Sequence, residues 1–234
     1  MAASIREATV KYISGTVSMK AFVAAPVTNE RRPAIIVIQE WWGLTDHIKD
    51  VAKRYAAEGY VAIAPDLYSR LDHALTTDPA EAGKLMNTLK QEDGLKDLIA
   101  TVGYIKSVPE VDRTRIGVTG FCMGGSYALL LPCVSADIKA AVPFYGQVPN
   151  PDRPLQKLSA PVLYFYGEDD GWITKADVER LAAAFKKHGK VGEIKTYPGA
   201  PHAFFRDNDP SVYRPEAAKD AWARTKAFFK KHLG

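Results

Sequence analysis

The chain has only two cysteines, Cys122 and Cys133. That argues against a disulfide scaffold and fits a reducing compartment, so a cytoplasmic setting is the default expectation. No apolar run approaches membrane-spanning length, and a membrane partner is not expected. The first residues, Met1 to Glu7, lack the apolar core of a secretory signal peptide. There is no low-complexity tract, internal repeat or linker-like shift in composition. Charge is nearly balanced, at a net +4. The surplus lysines gather at Lys186-Lys187 and Lys230-Lys231, where they read as solvated helix faces. No basic stripe interleaved with aromatics is present, so no nucleic-acid partner is expected. The acidic residues and histidines show no spacing typical of a zinc site, and neither a metal nor an organic cofactor is expected.

What is present is the composition of a sizeable core. With 234 residues, 47% of them apolar, the chain fits one α/β domain over residues 1–234. Residues 6–13 and 18–25 alternate around Ser14-Gly15, the pattern of an antiparallel hairpin. The continuous apolar run Ala34 to Ile38 suits a strand buried on both faces. Further strands are expected at 60–64, 115–119, 139–145, 161–166 and 192–197. Helices are expected at 45–58, 124–131, 175–188 and 215–232. Residues 78–107 read as helical with a break near Asp93-Gly94, and residues 71–78 as a surface excursion. The economical architecture is a single doubly wound, mostly parallel sheet of about eight strands with an N-terminal antiparallel hairpin. The oligomeric state is open, with a monomer the simplest expectation.

The chemistry concentrates where Ile116 to Thr119 leads into Gly120-Phe121-Cys122-Met123-Gly124. This is the strand–turn–helix context of a nucleophile elbow, G-x-S-x-G, with cysteine at the centre. A helix N-terminus aimed at the sulfur favours a thiolate and the oxyanion it creates. The backbone N–H of Met123, after the nucleophile, is the oxyanion donor that such an elbow supplies.

A thiol nucleophile needs a base, and the base needs an orienting acid. On this kind of sheet they follow the nucleophile in the order acid, then base. The strand Pro161 to Tyr166 runs into Gly167-Glu168-Asp169-Asp170, where Asp170 is the best-placed acid and Asp169 and Glu168 are rivals. The last strand ends in Pro198-Gly199-Ala200-Pro201-His202, which puts His202 where the base belongs. His47 and His188 fall on helix patterns, His73 in the excursion, and His232 at the terminus. A Cys122–His202–Asp170 constellation follows.

These segments carry a resemblance. The chain resembles the dienelactone hydrolase (carboxymethylenebutenolidase) family of α/β-hydrolases in Ile38 to Leu44, in Gly59 to Ala62 with Ala64 to Tyr68, and in Gly117 to Gly125. It does so again in Tyr145-Gly146, Gly167 to Ile173 and His202 to Arg206. A cysteine elbow joined to Gln39-Glu40-x-x-Gly43 after an early strand is specific to that family among α/β-hydrolases. The resemblance implies an α/β-hydrolase fold and hydrolysis of a small lactone or ester. It implies that Glu40 lies beside the nucleophile and controls thiol ionisation. Arg206 would pair with Glu40 at rest and with an anionic substrate group when ligand is bound. The N–H of Trp41 would be the second oxyanion donor, and Tyr145 a pocket-lining residue. Family members that cleave dienelactone supply a second arginine after the Pro-Asp-Leu-Tyr segment. Here Thr76 to Lys84 contains none, and Arg70 and Lys84 do not match it. The aromatics Trp41, Trp42, Tyr145, Trp172, Phe204 and Phe205 point to a broader apolar pocket. A broad-specificity carboxylesterase or thioesterase is therefore the alternative. A thiol redox sensor or a non-catalytic binding protein would have no use for the ordered acid and base.

Overall fold

The apolar run from Ala34 to Ile38 can be buried only if both faces of its strand are covered. The computed structural model, which describes residues 4–234, provides that cover. Residues 1–3, the start of the segment read against a signal peptide, lie outside the described residues. Among the described residues, eight strands form one sheet: β1 (Ile5–Ser14), β2 (Val17–Pro26), β3 (Arg32–Ile38), β4 (Val61–Pro65), β5 (Val111–Phe121), β6 (Ile138–Phe144), β7 (Val162–Asp169) and β8 (Gly192–Pro201). Across the sheet the order is β1-β2-β4-β3-β5-β6-β7-β8. β1 and β2 form the expected antiparallel hairpin, β2 also runs antiparallel to β4, and the remaining pairs are parallel. The result is a single-domain α/β fold.

Among the described residues, six α-helices accompany the strands: α1 (Asp46–Ala57), α2 (Pro79–Thr88), α3 (Gln91–Ser107), α4 (Met123–Val134), α5 (Lys175–Lys187) and α6 (Pro215–Leu233). Alternate residues of β3 go to opposite sides. Ala34, Ile36 and Ile38 join Leu98 of α3, Leu129 of α4 and Leu181 of α5 in one cluster. Ile35 and Val37 join Ile48 and Val51 of α1 and Phe229 of α6 in the other. No described helix is long and apolar enough to cross a membrane.

One helix boundary differs from the sequence reading. The break in residues 78–107 falls at Leu89-Lys90, both in extended backbone, and not at Asp93-Gly94. Gly94 lies buried inside α3, where a Cβ would stand 2.4 Å from the Tyr127 hydroxyl oxygen. The glycine marks a close approach of α3 to α4 instead of a stop.

The order of strands creates the site. From β3 the chain moves outward to β4, then crosses back so that β5 lies on β3's other side. Ligands of open α/β sheets bind at such a switch point, beyond the carboxyl ends of the strands. Residues 39–45 leave β3 there, and Cys122 leaves β5.

Candidate active site

Cys122 sits between β5 and α4 with φ 55° and ψ −120°, a left-handed conformation that a cysteine adopts only under constraint. Its N–H donates to the Phe144 carbonyl at 3.1 Å, and its carbonyl accepts from Ser126 N–H at 3.2 Å. A Cβ on Gly120 would lie 2.1 Å from the Gly124 carbonyl oxygen, so the turn closes only with glycine there. The helix begins at Met123, directly after the sulfur-bearing residue. The Met123 N–H has no protein acceptor among the described residues, and neither does the Trp41 N–H. Both are therefore free to donate to another group.

Asp170 and His202 come from the next strand ends. The register pairs Asp169 of β7 with Pro201 of β8, so the residues that follow each face one another. His202 Nδ1 lies 2.7 Å from Asp170 Oδ2. The other carboxylate oxygen accepts from the N–H groups of Trp172 and Ile173, each at 2.8 Å. Asp170 is buried, whereas its rivals Glu168 and Asp169 are exposed. The imidazole packs edge-on between Tyr145, at 5.0 Å, and Trp172, at 5.3 Å. Because Asp170 only accepts, Nδ1 holds the proton, and Nε2 is buried without a fully formed hydrogen bond at rest. Burial opposes charge on this ring. The hydrogen bond to Asp170 and the neighbouring Cys122 sulfur outweigh it and push the imidazole up to about 10.

Cys122 and His202 open into a pocket of about 350 Å³, whose other walls include Glu40, Trp41, Trp42, Met86, Trp172 and Arg206. A larger cavity of about 850 Å³ lies beyond Trp172, between α4 and residues 147–157. It holds no imidazole, and its thiol, Cys133, is pushed up to about 12 by burial. The smaller pocket is therefore the chemical one. Among the described residues, no cluster of three or more His, Cys, Asp or Glu could hold a metal ion.

Glu40 is almost fully buried and its Oε2 has no hydrogen-bond partner. Burial raises it to about 7, against the pull of the Arg206 and His202 charges. Arg206 departs from the expected pairing. Its guanidinium stacks over Trp42, 5.3 Å from the ring centroid, and its ion pair is with Asp209. Three residues along the same loop, Asp209 answers the arginine before Glu40 can. Tyr145 is fully buried beneath the pocket, not on its wall, and it packs against His202, Phe204 and Phe121.

Sequence reasoning missed Tyr68. It lies in a 3-10 turn, Leu67–Leu71, capped by the Asp66 side chain. Its hydroxyl donates to the Trp41 carbonyl at 2.9 Å and lies 3.6 Å from the Met123 sulfur. The Gln39 side chain accepts from Leu67 N–H at 3.1 Å, tying the same turn to the end of β3. The signal was the Pro65-Asp66-Leu67-Tyr68 match, which carried no role. Met86, from α2, had no signal at all.

The chain is similar to known proteins over nearly its whole length. The model of the dienelactone hydrolase family matches residues 19–233. A relative from Synechocystis sp., named "Putative carboxymethylenebutenolidase", is 35% identical over 247 residues and spans 100% of both chains. Another from Bradyrhizobium sp., named "Probable 2-oxo-3-(5-oxofuran-2-ylidene)propanoate lactonase", is 35% identical and covers 92% of this chain and 90% of its own. The crystal structure named "Putative Dienelactone Hydrolase" from Klebsiella pneumoniae has a TM-score of 0.91 at 32% identity, covering 98% of this chain and 100% of that one. The chain belongs to the dienelactone hydrolase family and is a carboxylic ester hydrolase.

Proposed function

We propose that this chain opens a lactone, or cleaves an activated ester, through Cys122, His202 and Asp170 with a thioester intermediate. The observation that carries the reading is the 2.7 Å bond from Asp170 to a His202 ring that shares one pocket with the Cys122 thiol. The Cys122 proton passes to His202, where Asp170 steadies the imidazolium. The thiolate attacks the carbonyl carbon, and the N–H groups of Met123 and Trp41 hold the oxyanion. Collapse breaks the ring C–O bond, and His202 returns its proton to the departing oxygen. His202 then takes a proton from water, whose oxygen attacks the thioester carbon. The second collapse expels the thiolate and leaves a carboxylic acid.

A thiolate is itself a good leaving group. Return to substrate therefore competes unless the departing oxygen is stabilised, as an enolate is. That favours enol lactones and activated esters over amides. A thiol nucleophile also works only where it stays reduced, which supports a cytoplasmic setting.

The apolar walls supplied by Trp41, Trp42, Met86, Trp172 and Val212 support the second reading, a broad esterase or thioesterase. Turnover of cis- and trans-dienelactone beside short-chain p-nitrophenyl esters separates the two. Rapid quenching followed by mass analysis tests the shared mechanism: an acyl adduct on Cys122 is expected, and turnover by Cys122→Ala would sink it.

A further inference from the structure

Trp172 lines three cavities at once. One is the catalytic pocket, and another is the cavity of about 850 Å³ beside α4. Between them lies a chamber of about 180 Å³. It shares Met86 with the catalytic pocket, and Gln91, Ser126 and Gln147 with the large cavity. The three are adjoining compartments of one cleft that starts at the Cys122 thiol.

The cleft follows a helix. Ser126, Leu130, Cys133 and Val134 line its outer part and fall on one face of α4, which begins directly after Cys122. At about 1.5 Å per residue, Leu130 to Val134 lie roughly 12–18 Å along the axis from Cys122. An extended chain advances about 3.5 Å for every three bonds, so roughly ten to fifteen bonds span that distance. A short ester bound at Cys122 cannot reach the outer end.

Charge changes along the way. The lining of the middle chamber carries no charged side chain among the described residues. Leu130, Val148 and Pro149 add apolar wall beyond it. At the outer end stand Arg153 and Lys157, the first and last residues of a 3-10 turn. Ser159, two residues on, bonds the Pro132 carbonyl and so holds this turn against the last turn of α4. The nearby acids are engaged elsewhere: Asp152 with Lys187 and His188, and Asp177 with Arg180. Arg153 and Lys157 are exposed, and neither side chain has an ion-pair partner among the described residues. A cationic guest would be repelled there, and an anionic one would meet two unmatched positive charges.

Building on hydrolysis at Cys122, we propose that this cleft is an extended substrate-binding site, in which Arg153 and Lys157 hold the anionic end of a long, otherwise uncharged arm. The substrate class is an ester, thioester or lactone that carries its negative charge far from the bond that is cut.

The test uses p-nitrophenyl esters of linear acids whose far end is either a carboxylate or a carboxamide, two groups of the same shape. Arms of about four and about twelve bonds are compared, below the concentration at which micelles form. Acetyl thioesters of mercapto acids and their amides place the same arms on the other side of the cleaved bond. In one series or the other, the long carboxylate should exceed its carboxamide in kcat/KM by about fivefold, the worth of two exposed ion pairs. The gain should lie mainly in KM, shrink in 0.5 M salt and be absent from the short arms. In the double variant Arg153→Gln, Lys157→Gln the ratio should fall to parity. Because each ratio is taken within one variant, a loss of folded enzyme cancels from it. Parity at both lengths in both series overturns the site. So does a carboxylate preference already complete in the short arms, or one that the double variant keeps. Cys122→Ala run on the short carboxamide separates the two failures: persistent turnover removes the nucleophile itself, whereas abolished turnover with wild-type parity removes only the extended site.

Discussion

Glu40 and Cys122 stand at the same level of the sheet, each two residues past the register pair Ile38 and Gly120 on neighbouring parallel strands. Both residues line one pocket, and burial holds the Glu40 proton up to about 7. In the unfolded chain a glutamate loses its proton near about 4.3. Between those values the folded state binds more protons, so this group's contribution to stability falls as pH rises through the window. Glu40→Gln removes that dependence. Its melting temperature should match the wild type near pH 4 and exceed it at pH 8, the free-energy gain being on the order of 3 kcal/mol. A difference that does not vary with pH would remove the raised carboxyl. The wild-type kcat/KM profile should also bend near pH 7, and the variant's should not.

The Glu40–Cys122 relationship marks where the sequence stops being legible. Cys122 and Asp170 follow strands whose apolar runs could be seen in advance, and His202 follows the expected strand at 192–197, so their gathering at one sheet edge was readable. Levels across strands depend on register, which no local pattern carries. The depth of Tyr145 was hidden for a related reason: an aromatic at a strand end looks the same on a pocket wall or below it. The Arg206–Asp209 pair was open to view as an i, i+3 spacing, but the loop's curvature decides whether such residues meet. The misplaced helix break came from reading Gly94 as a stop, when its partner, Tyr127, lies on another helix.

The two thiols should behave differently. Cys122 lines the pocket, whereas Cys133 donates to the Leu129 carbonyl inside α4 and is pushed up to about 12 by burial. Iodoacetamide at pH 8 should label Cys122 and inactivate the enzyme, with Cys133 unmodified by peptide mapping. Cys133→Ala should keep most of the activity and Cys122→Ala none. Cys122→Ser should retain slow turnover, because His202 remains to activate a hydroxyl.

Asp170 orients His202 and supports its charge. Asp170→Asn keeps the shape but offers an amide where the imidazole N–H needs an acceptor. A loss of roughly 10³- to 10⁴-fold in kcat is expected, by analogy with the serine-protease acid. The His202 titration, followed by NMR, should move down. Alanine at the exposed Glu168 or Asp169 should change kcat/KM by less than about twofold. A comparable loss at either of those positions would reassign the acid.

Tyr68 touches both residues proposed as oxyanion donors and does not line the catalytic pocket. Its hydroxyl fixes the Trp41 carbonyl at 2.9 Å and rests against the Met123 sulfur at 3.6 Å. In the proposed mechanism the Trp41 and Met123 N–H groups converge on one oxygen, and the first of them lies in the loop after β3. Tyr68→Phe deletes only the oxygen atom and leaves the ring packed. Removing a whole oxyanion donor costs about 10²- to 10³-fold in kcat, so a misplaced donor should cost less, about tenfold. The loss should appear in kcat with KM nearly unchanged, because the oxyanion exists only after attack. A merely structural tyrosine would lower the melting temperature while the folded enzyme kept its kcat. Reading kcat per active site, titrated through the Cys122 thiol, separates those outcomes.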